Sequence, residues 1–255
     1  MEVLYACCCG LDVHKKSITA CVLWANGPGR KRKEKRVFGT VTQELLALTD
    51  WLLACGVTHV AMESTGVYWK PVWNILEGQL EVLLVNAQHI QAVPGRKTDQ
   101  KDSEWIADLL QHGLLRGSFV PPRATRERRD LTRYRVSLAQ ERNRIVNRIQ
   151  KVLEDANIKL ASVATDALGA SGRAMLEAMV AGPQGSEQLA EMAQGRLRHK
   201  MAELRLAMEG RVTDPHRFLL RQLLDHLKFT ESKRAEIEAE IDRRGTEARL
   251  DDDDS

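Results

Sequence analysis

The sequence predicts an α/β domain with a mixed sheet over residues 1–120, an all-α, coiled-coil-like region over 121–245, and a disordered acidic tail over 246–255. Three observations predict it. β-rich runs separated by turn residues fill the chain from about residue 4 to 42, a strand–helix–strand alternation follows to residue 85, and beyond Pro121-Pro122 the apolar residues recur only at helical steps.

Composition sets the outer bounds. At 255 residues, 43% hydrophobic and 29% charged, the chain can bury one full core and carry a second, smaller unit. A formal charge of +3 does not by itself imply a nucleic-acid partner; how the basic residues are distributed decides that. No apolar run approaches the roughly 20 residues that cross a bilayer, and the N-terminus lacks the sections of a signal peptide. The expected location is cytoplasmic, with no membrane partner. Consecutive Cys7, Cys8 and Cys9 suit neither a zinc site nor a disulfide framework. On a strand their side chains alternate between faces as small core residues.

The first runs, Tyr5 to Val13, Ile18 to Trp24, and a charged run leading into Val37-Phe38-Gly39-Thr40, read as three strands joined by hairpins, with a turn at Ala25 to Gly29. Leu45, Leu46, Leu48, Leu52 and Leu53 then recur at helical spacing behind Thr42, a fair cap. A strand at Thr58 to Met62, an aromatic helix from about Val67 to Leu76 and a strand at Glu81 to Val85 imply parallel pairing through a crossover helix. In the second half, Leu131, Tyr134, Leu138, Ile145, Ile149 and Val152 form a seam. Breaks at Gly169 to Gly172 and Gly182 to Gly185 separate later helices, where Leu197, Met201, Leu204 and Met208, then Leu220, Leu223, Leu224 and Leu227, continue it. A helical hairpin or small bundle results.

Four carboxylates stand out from this frame. Asp12 closes an otherwise apolar strand, Glu63 ends the next strand but two, and Asp99 and Asp102, three apart, share one face of a helix that starts near Thr98. Singly, each also reads as a turn residue or a solvated first helical turn. Together they reproduce the layout of a ribonuclease-H-like fold, in which paired metals activate a nucleophile and stabilise a leaving oxygen. Carboxylate ligands suit Mg2+ or Mn2+, here two ions.

The stretches Gly10 to Lys16, Met62 to Trp69 and Lys97 to Leu110 closely resemble the DEDD transposases of bacterial insertion sequences, relatives of the pilin-gene-inverting recombinase. The resemblance covers about residues 8 to 155. It implies a RuvC-like catalytic domain in which Asp12, Glu63, Asp99 and Asp102 are the catalytic metal ligands. It also implies DNA recombination, guided in much of the family by a structured RNA. Family members carry a further C-terminal domain with a strand-exchange serine; this sequence shows no counterpart and looks truncated or frameshifted, so complete strand exchange by this chain alone is not expected.

Between Arg123 and Lys151 ten basic residues face three acidic ones, Glu127, Asp130 and Glu141. Arg126, Arg128, Arg129, Arg133, Arg135, Arg142, Arg144 and Arg148 are the expected nucleic-acid contacts, since the guanidinium fork suits phosphate oxygens. The alternative is a solvated coiled-coil face. A second run, Arg30 to Arg36, reads equally as a nucleic-acid contact or a charge-protected sheet edge. His14 reads as a structural or phosphate-contact histidine, and Tyr68 and Trp69 as core aromatics. The expected partners are DNA, a structured guide RNA and a second copy of the chain docked through the helices. A structure-specific nuclease of the same fold and a non-catalytic nucleic-acid-binding product are the competing readings. An actin-like ATPase is a third, opposed by the lack of a second phosphate-binding turn.

Overall fold

The computed structural model describes residues 2–25, 31–64, 66–92 and 102–253. The chain divides into two compact units, Met1–Pro121 and Pro122–Ser255. The first contains β1 (Cys7–Val13), β2 (Ser17–Ala25), β3 (Lys31–Gly39), α1 (Thr42–Ala54), β4 (His59–Glu63), α2 (Trp69–Leu76), β5 (Glu81–Val85), α3 (Ala87–Ala92) and α4 (Asp102–Gln111). One sheet, ordered β3-β2-β1-β4-β5, has antiparallel β1–β2 and β2–β3 pairs and parallel β1–β4 and β4–β5 pairs. A meander followed by two parallel strands added at its inner edge is the ribonuclease-H-like arrangement expected from the sequence.

The charged run is longer in the sheet than the sequence reading allowed. All of Lys31–Gly39 is strand, although the run carries six charged residues before Val37. Alternation makes this possible, because successive side chains leave opposite faces. Lys33 and Lys35 reach Glu104 of α4, at 2.8 and 2.5 Å. Arg32 and Arg36 lie over the rings of Trp24 and Trp51, at 4.8 and 4.9 Å. The start of α1 also differs slightly: Thr42 is its first residue rather than its cap, and the Glu44 carboxylate accepts the Gly39 N–H at 3.2 Å.

Both faces of the sheet are covered. Cys9, Leu11, Ile18, Val22, Val60 and Met62 pack against Leu45, Leu48 and Leu52 of α1 and Val72 and Leu76 of α2. Cys8, Cys21, Leu23 and Ala61 pack on the other face against Trp105, Ile106, Ala107 and Leu110 of α4. Cys8 and Cys9 are fully buried on opposite faces, as alternation requires, and all five cysteines are free thiols. Where β1 passes under α4, residue 10 is glycine. A Cβ there would sit 2.3 Å from the Ser103 carbonyl oxygen and 2.4 Å from the Ala107 nitrogen, both backbone atoms.

The second unit contains α5 (Arg123–Asp155), α6 (Leu160–Val163), α7 (Ala170–Ala181), α8 (Ser186–Glu191), a 3-10 helix at Gly195–Lys200, α9 (Met201–Ala207) and α10 (Asp214–Asp253). Ion pairs Asp155–His216, Arg142–Glu231 and Glu127–Arg244 run in opposite senses along the chain, so α5 and α10 form an antiparallel hairpin. The short helices between them close its core, which holds Ile145, Ile149, Leu153, Met175, Leu204, Leu220, Leu224 and Leu227. Tyr134, read as part of the seam, is half exposed, because the buried line follows Leu138, Ile145, Ile149 and Leu153. Gly172, read as part of a break, lies inside α7, where it lets the helix approach the Ala167 carbonyl too closely for any Cβ. α10 extends past residue 246, where the sequence reading started its tail. One carboxylate ties three helices: Glu231 accepts Arg142 Nε at 2.9 Å and an Arg173 terminal nitrogen at 2.6 Å.

Two predictions follow from this packing. Gly10→Ala is expected to destabilise the first unit by about 1–3 kcal/mol, because backbone cannot yield as a side chain can; a thermal or urea melt within error of wild type would show that α4 does not lie this close. The two arginines hold the Glu231 carboxyl below the usual carboxylate range. A depressed folded-state pKa stabilises at neutral pH and loses that contribution as pH falls through the carboxylate range. Glu231→Gln should therefore cost about 1–3 kcal/mol at pH 7, with the gap to wild type narrowing toward pH 3; a pH-independent gap in paired melts would remove the ionic explanation.

Candidate functional site

Parallel pairing sets the first two acids side by side. The β1–β4 register ends on Leu11 beside Met62, so Asp12 and Glu63 are the next residues along neighbouring strands, roughly 5 Å apart at Cα for adjacent strands. Leu11 and Met62 both enter the core under α1 and α2, so Asp12 and Glu63 leave by the opposite face, the one α4 covers. Both are half-buried. A single oxygen of Asp12 is engaged by the exposed ring of His14, with Nε2 to Oδ2 at 3.2 Å.

Three contacts fix the direction of α4. The Gln111 carbonyl accepts the Leu4 N–H at 2.9 Å, the Ala107 carbonyl lies 3.6 Å from Cys8 Sγ, and the Ser103–Ala107 turn rests on Gly10. Helix and strand are antiparallel, and the N-terminal turn of α4 reaches the end of β1 where Asp12 stands. Asp102 opens that turn, exposed, immediately before buried Ser103. The structure thus brings Asp12, Glu63 and Asp102 to one end of one face of the sheet. Asp99 lies outside the described residues. Among the described residues, no group of three His, Cys, Asp or Glu side chains is gathered tightly enough to hold a metal ion.

The neighbouring acid on α4 has a different task. Glu104 is held below the usual carboxylate range by the hydrogen bonds from Lys33 and Lys35, and so ties β3 to α4. The second basic run is therefore engaged within the fold at Arg32, Lys33, Lys35 and Arg36. Trp69 packs edge-on against Trp73, as a core aromatic, whereas Tyr68 is 40% exposed. Sequence reasoning missed Gly10. Its signal was present: a glycine inside an apolar strand marks close approach of another backbone.

On α5, 100° per residue sorts the basic residues. Arg126, Arg129, Arg133, Arg144, Arg148 and Lys151 share a sector of about 100° on the far side from Leu138, Ile145, Ile149 and Leu153. Arg128, Arg135 and Arg142 turn toward the flank of the buried line, and Arg142 is paired with Glu231. Asp130, at the sector's edge, pairs with Arg133 at 3.4 Å. From Arg126 to Lys151 the stripe is about 38 Å long at 1.5 Å per residue, close to the roughly 34–36 Å of one turn of duplex DNA.

Among the described residues, no helix is long and apolar enough to cross a membrane. Residues 9–158 match the model of a family of transposases, the DEDD type of IS110 elements. Among solved structures the chain is similar to Thermus thermophilus RuvC, at 13% identity and a TM-score of 0.33 over 44% of this chain and 99% of that one. T. thermophilus RuvC in complex with Holliday junction substrate is similar at 17% identity and a TM-score of 0.30, over 46% and 84% of the two chains. Fowlpox virus resolvase with its Holliday junction DNA gives 13% identity and a TM-score of 0.27, over 36% and 65%. Comparison with curated proteins returns no match. The family match takes in Asp12 on β1, the strand that ends at Glu63, all of α4 and the arginine-rich helix, and this chain belongs to the DEDD transposase family.

Proposed function

We propose that Asp12, Glu63, Asp99 and Asp102 form a metal-dependent site that cleaves and transfers phosphodiester bonds of DNA. The observation that supports the reading is that two parallel strands and the N-terminus of α4 carry three of these acids to the same end of one face of the sheet. An all-carboxylate donor set fits Mg2+ or Mn2+. Two such ions, when bound, supply activation of the attacking oxygen and stabilisation of the leaving one. The chain's own part is to orient. The sheet holds Asp12 and Glu63 at fixed spacing, His14 steadies one oxygen of Asp12, and α4 holds Asp102 on a helix locked against β1. Nucleic acid is held elsewhere, by the basic sector of α5, whose arginines meet phosphate oxygens without reading sequence.

In this reading residues 1–120 are the catalytic domain and 121–245 a helical region for nucleic-acid binding and self-association. A structured guide RNA and a second copy of the chain are the further partners, and the cytoplasm the place of action. The structure-specific nuclease reading uses the same site on branched DNA and differs only in the fate of the cut strand.

Two measurements test these assignments. Asp102→Ala should reduce Mg2+-dependent nicking of branched DNA to below about 1% of wild type while affinity changes less than about twofold, because the arginines supply the attraction; nicking that survives the substitution or does not need the metal rules out the site. Replacing Arg144 and Arg148 together by Ala should lower the slope of log K against log salt by about 1.8 for duplex DNA. The same change at Arg128 and Arg135 should lower it less; equal losses from the two pairs would dismiss the one-sided stripe.

A further inference from the structure

A second concentration of positive charge lies on the short helices that cap the α5–α10 hairpin, in a segment neither the motifs nor the α5 stripe includes. The 3-10 helix Gly195–Lys200 reads Gly-Arg-Leu-Arg-His-Lys, and no acidic residue falls between Glu191 and Glu203. Leu197 is half-buried against the core and anchors the turn, while Arg196, Arg198, His199 and Lys200 are all exposed. Outside the α5 stripe, several exposed basic residues of the unit are matched, as Arg205 is by Glu187, Lys228 by Glu177 and Lys233 by Glu236. Arg196 and Arg198 form no ion pair among the described residues.

Beside this turn is an open cleft of about 640 Å³, with Thr165, Asp166, Ser171, Gln194, Arg196 and Lys200 on its walls. Lys200 Nζ donates to the Val163 carbonyl at 3.3 Å, which keeps its ammonium at the rim. The one carboxylate present, Asp166, accepts the Leu168 N–H at 3.0 Å and is thereby turned to its own loop. Ser171 Oγ accepts the Gln194 N–H at 2.9 Å, so the wall carrying Arg196 is tied to the start of α7. The result is a rim where Arg196 and Lys200 form no ion pair among the described residues, with the Thr165 and Ser171 hydroxyls and the Gln194 amide beside them, large enough for a sugar-phosphate unit.

We propose that this turn is a second nucleic-acid backbone contact, taking phosphodiester groups through Arg196 and Lys200 on the cleft wall and through Arg198, exposed on the same turn outside the cleft, independent of the α5 stripe. The inference rests on the reading that the chain binds nucleic acid. Phosphodiesters of DNA and of a structured RNA share this chemistry, so the test carries both. In the full chain, Arg196, Arg198 and Lys200 are replaced together by Ala, and a control variant carries Ala at Arg221, Lys228 and Lys233, removing the same formal charge from α10. Binding to a DNA duplex and to an RNA hairpin is titrated over a salt series, with circular dichroism melts to confirm folding.

The rim variant should bind at least one of the two on the order of tenfold more weakly at 100 mM salt, with a salt slope lower by about 2–3 for duplex or about 2 for single-stranded segments. The arm that loses affinity identifies the ligand. Wild-type affinity in both arms, or an equal loss in the control variant, overturns the rim while leaving the α5 stripe and the carboxylate site standing. A wild-type chain that binds neither probe overturns the rim together with the reading beneath it.

Discussion

The approach of α4 to β1 over Gly10 is the constraint on which the first unit depends. Two backbone segments touch there with no side chain between them, and only glycine allows it, since any Cβ would enter the Ser103–Ala107 turn. The rest of that face is built to match. Cys8, Cys21 and Ala61 are small and fully buried against α4, which presents Ala107 to them, so the helix lies low along the sheet. A helix held away by larger residues would carry Asp102 off the sheet end where Asp12 and Glu63 emerge. The three consecutive cysteines acquire a packing reason: Cys8 and Cys9 fill opposite faces of β1, and the small volume of Cys8 is what α4 needs.

Charge in this unit is divided by task. Glu104 and Asp102 stand two residues apart on α4, yet the first is bound by two lysines and the second stands at the mouth of the strand ends. The lysines come from an edge strand, where charged side chains oppose pairing with another chain. Their ion pairs hold β3 to α4 while their outward neighbours, Arg32 and Arg36, cover tryptophan faces. In a run that reads equally as a nucleic-acid contact or a charge-protected edge, Arg32, Lys33, Lys35 and Arg36 thus have partners within the fold.

The helical unit shows the reverse. Its apolar line on α5 is narrow, and the basic residues that do not face α10 collect on one side of a helix 33 residues long. Glu231 fixes the register of α5, α7 and α10 by taking two guanidinium groups at once, which removes Arg142 from the outward set. What remains is a positive sector along one side of the helix, a form that suits a row of phosphates.

Much of this was legible in the chain. Period-two and helical spacing announced the meander, the βαβ alternation and the helical hairpin, because hydrophobic periodicity follows directly from which face is buried. Asp12 and Glu63 were visible as charges at the ends of apolar strands, and Asp99 and Asp102 as two acids three apart on one helix face. The role of Gly10, the pairing of Glu104 with β3, the exposure of Tyr134 and the division of the arginines were not. Each depends on which element lies against which, through contacts such as those between residues 33 and 104 or 142 and 231, far apart along the chain. Local sequence determined the elements and the chemistry they carry; the tertiary packing alone decided which charges are paired across the fold, as Glu104 and Glu231 are, and which stand on its surface, because pairing needs residues far apart in the chain to meet.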